Sequence, residues 1–386
     1  MKSIKSCVIV LNRVVDIAAA VGLYKKSPLE NTKVLIVAFT AHDEYNWPKR
    51  KSIQQWLTQS DVNDIVSQID QNDVIISRSK IDYKETLKKF DACVCLGREL
   101  FIFKPITKLS VGISGTRDYF ERYIKLLEED CYGDSILIAQ NSNAWLDEKH
   151  CGDYKMTCDY DFLMKKRRNF IDVNPLVDQL DECKKIGLEQ IKRELNFPQD
   201  RKIALISYRR ADNWHTIYES DDEFFKSSVA AIEKFKKEGY FIVCRRRMGV
   251  DDITSRRANS SEITRYDEIK PLIDLEVNGW SGYPNLLYKA CYASDVLVMI
   301  DTSGICQREA AITELPTYMP YDLKNEFTKN QIRNCWEPGM RDMIDMGVLS
   351  NDLEKLTSKD FELKIKSYNR RWHSGNSSVF WEKILR

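Results

Sequence analysis

Short, continuous apolar runs recur along the first half of the chain: Cys7–Leu11, Val34–Ala38, Asp73–Ser77, Ala92–Leu96 and Ser135–Ala139. Most are rich in β-branched residues and bounded by polar ones. Apolarity that is continuous rather than alternating predicts parallel strands covered on both faces. Helical stretches are predicted between them, at Ser52–Ile69 and Tyr83–Phe90. Strands alternating with helices predict an α/β layer fold. The first run predicts a strand over Ser6–Leu11 that turns into a helix. Asn12, Arg13 and Asp16 interrupt the apolar stretch Ser6–Tyr24, so it is not expected to act as a secretory or membrane-spanning segment.

The pattern then restarts. Lys202–Ser207 predicts a strand, and Asp222–Glu238 a helix with Phe225, Val229, Ile232 and Phe235 at helical spacing. Tyr240–Cys244 predicts the next strand, Tyr283–Ala293 a helix, and Val296–Ile300 a strand that runs at once into a helix over Cys306–Thr313. A short strand begins at Pro316. Between the two series lies the charged stretch Lys165–Arg201, with a largely polar helix around Pro175–Leu195 and the turn Phe197-Pro-Gln-Asp. These features predict a Rossmann-like domain over 1–172, a linker over 173–201 and a second Rossmann-like domain over 202–365.

Composition narrows the function classes. The 386 residues are 43% hydrophobic and 30% charged with a net charge of +1, which leaves no global field to select nucleic acid or an acidic surface. The eleven cysteines contain no CxxC pair. Cys93 and Cys95 form a CxC on a predicted strand, where alternation puts both thiols on one face. Free buried thiols in a reducing compartment are expected, hence a cytoplasmic protein. Peripheral association with the inner face of a membrane would need only a local patch.

The segment Val296–Pro316 carries the chemistry. A buried strand ends at Ile300, and the turn Asp301-Thr302-Ser303-Gly304 opens directly into a helix. Ser303 or Thr302 can cap that helix, and Gly304 lets a ligand approach the backbone. Helix-end amides at the carboxyl end of a parallel strand suit a phosphate. Glu309, one to two turns into the helix, can accept hydrogen bonds from two ribose hydroxyls.

The run Ser303-Gly-Ile-Cys-Gln-Arg-Glu-Ala310 resembles the Ser-Gly-Gly-Ile-Gln-Glu-Glu-Ala of bacterial UDP-N-acetylglucosamine 2-epimerases. It also resembles the second-domain donor motif of GT-B glycosyltransferases. Ser303, Gly304, Gln307, Glu309 and Ala310 match position by position, Pro316 fits the close of the motif, and Ile305 replaces a motif Gly. The resemblance covers mainly residues 197–320. It implies two Rossmann-like domains facing each other across a cleft, with Ser303 and Gly304 on the donor diphosphate and Glu309 on the ribose. Asp301 and Glu309 have the spacing of the acidic pair of many retaining members.

The same resemblance places basic residues of the strand-end loops at the phosphates. Arg209 is the first candidate and Arg210 the second, with Arg246 from Arg245-Arg246-Arg247, the remainder of that triplet being surface charges. Trp280 is either a base platform or a core aromatic. The first domain would bind the acceptor and supply the base, for which His42, Asp43, Glu44 and Asp118 are candidates. His215 is a further candidate beside the donor. Residues 366–386 would form a helix that packs back toward the first domain, anchored by Trp372, Phe380 and Trp381.

No cofactor is expected, only a nucleotide-sugar as donor substrate. No metal is expected either, since Asp159-Tyr160-Asp161 is a DxD by letters alone. The implied activity is sugar transfer to a hydroxyl of a glycan or lipid-linked acceptor in bacterial surface polysaccharide or glycolipid synthesis. The alternatives are a 2-epimerase-like nucleotide-sugar isomerase, disfavoured by the scarcity of histidine, and a CDP-polyol phosphotransferase, disfavoured because Cys244 leads to Arg245-Arg246 rather than to His-Pro. A binding protein on a degenerate GT-B scaffold is the non-enzymatic reading.

Overall fold

The computed structural model describes residues 3–11, 16–37, 59–96, 107–113, 127–128, 136–139, 160–208, 216–246, 265–277, 281–301, 305–321, 328 and 339–386. Two compact units emerge. The first comprises Met1–Asp178, Trp280–Tyr283 and Arg371–Arg386; the second comprises Gln179–Gly279 and Pro284–Arg370.

The first unit is built on a seven-stranded parallel sheet. Its strands are β1 (Ser6–Leu11), β2 (Asn31–Val37), β3 (Val74–Ser77), β4 (Ala92–Leu96), β5 (Leu109–Ile113), β6 (Ile136–Ala139) and β7 (Phe170–Ile171), in the order β3-β2-β1-β4-β5-β6-β7. The predicted runs all become strands; β1 and β4 are covered on both faces, whereas edge strand β3 leaves Ile76 exposed. β1 and β4 are buried almost end to end. Cys93 and Cys95 are buried as expected. The Cys93 thiol donates to Ser110 Oγ at 3.3 Å and accepts from Thr107 Oγ1 at 3.3 Å, a small polar network between β4 and the entry to β5.

The helix that follows β1, Ile17–Lys25, buries Ile17 to Leu23 against this sheet. The last helix, Ser377–Leu385, completes the same core: Phe380, Trp381 and Ile384 cluster with Leu11, Ala20 and Leu23. Trp381 donates its Nε1 proton to the carbonyl of Leu23 at 2.8 Å, which satisfies the one polar atom of a side chain only 1% exposed.

The second unit repeats the plan with six parallel strands: β8 (Ile203–Tyr208), β9 (Phe241–Arg246), β10 (Leu275–Val277), β11 (Val296–Met299), β12 (Thr317–Tyr318) and β13 (Leu349–Ser350). Their order is β10-β9-β8-β11-β12-β13. Both units therefore share the order 3-2-1-4-5-6, that of a doubly wound dinucleotide-binding sheet, to which the first adds β7 as a seventh strand. The likeness extends to one side chain. Asp91 stands just before β4 and accepts the amide of Lys5 at 2.9 Å; Asp295 stands just before β11 and accepts the amide of Ile203 at 2.8 Å. In each unit an aspartate entering the fourth strand thus pins the start of the first.

Several expectations change at this level. The helix over Pro175–Leu195 is three pieces: a 3-10 turn at Pro175–Val177, then helices Asp178–Ile186 and Leu188–Glu194. Gly187 between them has φ +90°, a conformation a continuous helix cannot contain. The helix Asp221–Lys237 buries Phe224, Ser228, Ala231, Ile232 and Phe235, so Phe225 and Val229 lie off the core face. Phe225 instead lies under the Arg265 guanidinium, 3.6 Å from the ring centroid. The predicted helix over Tyr283–Ala293 starts later, at Leu286, because Asn285 caps it by accepting the amide of Tyr288 at 3.0 Å.

Candidate functional site

In a doubly wound sheet the chain leaves the first and fourth strands in opposite directions, and their carboxyl ends border an open crevice. In the second unit those strands are β8 and β11, paired in parallel from Val296↔Ala204 to Met299↔Ser207. β8 ends at Tyr208. Beyond the end of β11 come Ile300 and Asp301, each 0% exposed, and then the helix Ile305–Ile312.

Asp301 is not free to act as one of an acidic pair. Its Oδ2 accepts from Thr216 Oγ1 at 2.7 Å and its Oδ1 from the amide of Ile217 at 3.2 Å. Next to it, Tyr218 Oη donates to the carbonyl of Ile300 at 2.9 Å, and Tyr321 Oη donates to the same oxygen. Aromatic rings extend this anchorage across the sheet end. Tyr266 meets Tyr208 at 5.6 Å between centroids, Tyr208 meets Phe224 at 5.2 Å, Phe224 meets Tyr218 at 5.3 Å and Tyr218 meets Tyr321 at 5.2 Å. The strand end that leads to the predicted phosphate turn therefore rests on a rigid aromatic floor. Asp301 serves as a bolt within it, through both of its carboxylate oxygens.

The helix Ile305–Ile312 carries Glu309, 1% exposed. Its Oε1 accepts from Arg308 Nη2 at 2.7 Å, and its Oε2 is buried with no hydrogen-bond partner among the described residues. Gln307 Oε1 on the same helix is likewise buried and unpartnered. Near Glu309, Tyr288 is fully buried, and burial, followed by the Glu309 charge, pushes its phenol well above the ordinary range. Tyr288 is thus a neutral hydroxyl beside a carboxylate and a guanidinium. Orphaned buried oxygens carry a desolvation cost, and where they converge a ligand can supply the missing donors.

Arg245 and Arg246 belong to the strand itself. β9 continues to Arg246, with Arg245 opposite Ser207 and Arg246 opposite Tyr208. Arg245 is only 6% exposed, so it is no surface charge. Strand alternation puts it on the face of Ser207, at the carboxyl end. The apolar run Tyr240–Cys244 stops two residues before the strand does, so it could not reveal this, and nothing in the sequence pointed to Thr216 or Tyr288. Thr302, Ser303, Gly304, Arg209, Arg210, Trp280, His215, His42, Asp43, Glu44 and Asp118 lie outside the described residues. Among the described residues no cluster of three or more His, Cys, Asp or Glu could hold a metal ion, and no helix is long and apolar enough to cross a membrane.

No protein-family model matches the chain, and no curated protein matches it in sequence. Solved structures do match in three dimensions. UDP-GlcNAc 2-epimerase from Methanocaldococcus jannaschii, in complex with UDP-GlcNAc and UDP, superposes with a TM-score of 0.52 at 14% identity, covering 98% of each chain. The wall teichoic acid polymerase TagF superposes with a TM-score of 0.51 at 11% identity, covering 99% of this chain and 87% of that one. The chain shares with these structures a fold of two Rossmann-like domains, the GT-B architecture. At these identities the likeness is one of architecture. Two sheets of order 3-2-1-4-5-6 are the GT-B plan, and the buried Glu309 follows the fourth strand of its second sheet.

Proposed function

We propose that this GT-B chain is a glycosyltransferase that moves a sugar from a nucleotide-linked donor to a hydroxyl of a glycan or lipid-linked acceptor. One observation carries the donor reading: Glu309 follows the switch-point strand β11 and keeps one carboxylate oxygen buried and unpartnered. A ribose hydroxyl would supply that missing donor. In this reading Thr302, Ser303 and Gly304 present helix-end amides to the diphosphate. Arg209, Arg210 and Arg246 provide neutralising charge, because a guanidinium fork matches phosphate oxygens. Trp280 would stack on the base. Catalysis then needs a base to take the acceptor proton, and His42, Asp43 and Asp118 of the first unit are the candidates. No metal or cofactor enters this scheme.

Thermal shift with UDP, CDP, GDP, ADP and their sugar conjugates tests the proposal. A ligand at a hundredfold its Kd stabilises by about 2.7 kcal/mol. The shift should vanish in Glu309→Ala. Absence of any shift in the wild type would remove the nucleotide reading. Conversion of the donor to a new nucleotide-sugar without acceptor would make the chain an epimerase, and release of a nucleoside monophosphate from a CDP-polyol a phosphotransferase.

A further inference from the structure

Consecutive residues on a helix point about 100° apart and do not ordinarily meet. Arg308 and Glu309 meet nonetheless, with Nη2 to Oε1 at 2.7 Å, although the arginine side chain keeps 20% of its surface exposed and the glutamate only 1%. One guanidinium nitrogen has taken one oxygen of the neighbouring carboxylate. The other oxygen, Oε2, is buried without a partner.

An ionised carboxylate accepts through two oxygens and donates nothing. A bond to a guanidinium is charge-assisted and roughly twice as strong as one from a neutral hydroxyl. A neutral ligand hydroxyl would therefore not displace Arg308 from Oε1, whereas Oε2 has only its desolvation cost to lose. We infer that Arg308 is a specificity-determining residue: by holding Oε1 in a charge-assisted bond it leaves Oε2 as the one carboxylate oxygen without a partner, so the site weights one ribose hydroxyl of the donor over the other. This rests on the proposed role of Glu309 at the ribose. Without Arg308 the carboxylate would grip both hydroxyls.

Calorimetric titration tests the idea. The tightest-binding member of the UDP, CDP, GDP and ADP panel is compared with its 2′-deoxy and 3′-deoxy forms, on wild type and on Arg308→Ala. In the wild type one deoxy form should bind on the order of tenfold more weakly or worse, and the other within about twofold of the parent, as expected for loss of one hydrogen bond to a charged group. In Arg308→Ala both deoxy forms should weaken. Equal weakening by both in the wild type, or by neither, overturns the inference while leaving the donor site standing. Failure of every nucleotide to bind overturns the donor reading and this inference with it.

Discussion

The carboxylate of Asp301 holds the hydroxyl of Thr216 at 2.7 Å, joining the end of the fourth strand of the second sheet to the segment that enters the helix Asp221–Lys237. Both carboxylate oxygens are engaged there, one with the hydroxyl and one with the Ile217 amide. A residue that looks like half of an acidic pair is instead a fastening.

Replacing Asp301 with Ala should therefore cost stability first. It strands a buried hydroxyl and a buried amide, each formerly bonded to a charge, for a loss of about 3 kcal/mol. Thermal unfolding of Asp301→Ala and Asp301→Asn checks this, with Asn the milder because its carbonyl still accepts one of the two bonds. Unchanged stability with lost nucleotide binding would return Asp301 to the donor.

Asp91 ties stability to pH. Hydrogen bonding from Lys108, then from the Lys5 amide, holds its carboxyl down from 3.8 to about 2. A carboxyl with a lower pKa in the folded than in the unfolded state favours folding above its unfolded value. That contribution disappears as pH falls from about 4 toward about 2. Asp91→Asn should thus melt below the wild type at about pH 6, and the gap should narrow as pH approaches about 2. A gap of constant size would mean that Asp91 acts through packing alone. Because the Lys108 pairing is partly exposed, added salt should shrink the gap as well.

Two glycines separate backbone strain from crowding. Gly187 has φ +90° and open space where a Cβ would stand. Gly375 has φ +72°, and a Cβ there would come within 3.1 Å of the Asp172 carbonyl and of Val173. Gly187→Ala should cost about 1–3 kcal/mol, because φ +90° with ψ 148° is a backbone region open essentially to glycine alone. Gly375→Ala should cost more than that strain, because its Cβ would also meet backbone at 3.1 Å. Equal shifts in melting temperature would contradict the assignment.

Trp381→Phe should cost about 1 kcal/mol for its hydrogen bond to Leu23, and Trp381→Ala about 3–5 kcal/mol for the cavity. Urea unfolding followed by the remaining tryptophans measures both.

How much of this was legible in the sequence follows from the physics of each element. Strands buried on both faces announce themselves as apolar runs, so β1, β4, β8 and β11 could be read directly. β7, β10 and β13 are two or three residues long, and Leu275-Glu276-Val277 has no run to see. Helical periodicity found the helix Asp221–Lys237 and its core positions Ile232 and Phe235, but took Phe225 and Val229 for their buried neighbours Phe224 and Ser228, since a serine facing the core does not look apolar. At the site, Glu309 was visible because motif and spacing agreed. The grip of Arg308 was invisible, because helix geometry says adjacent residues diverge. The hold on Asp301 was invisible because its partner Thr216 lies far away in sequence.

The last sixteen residues, Arg371–Arg386, carry the tryptophan that closes the core of the first unit. During synthesis at 5–20 residues per second, the strands of that unit wait roughly ten seconds or more for this helix to emerge. The half of the protein that is made first is therefore finished last. Until then the apolar side chains of Leu11, Ala20 and Leu23 that this helix covers stay open to chaperones.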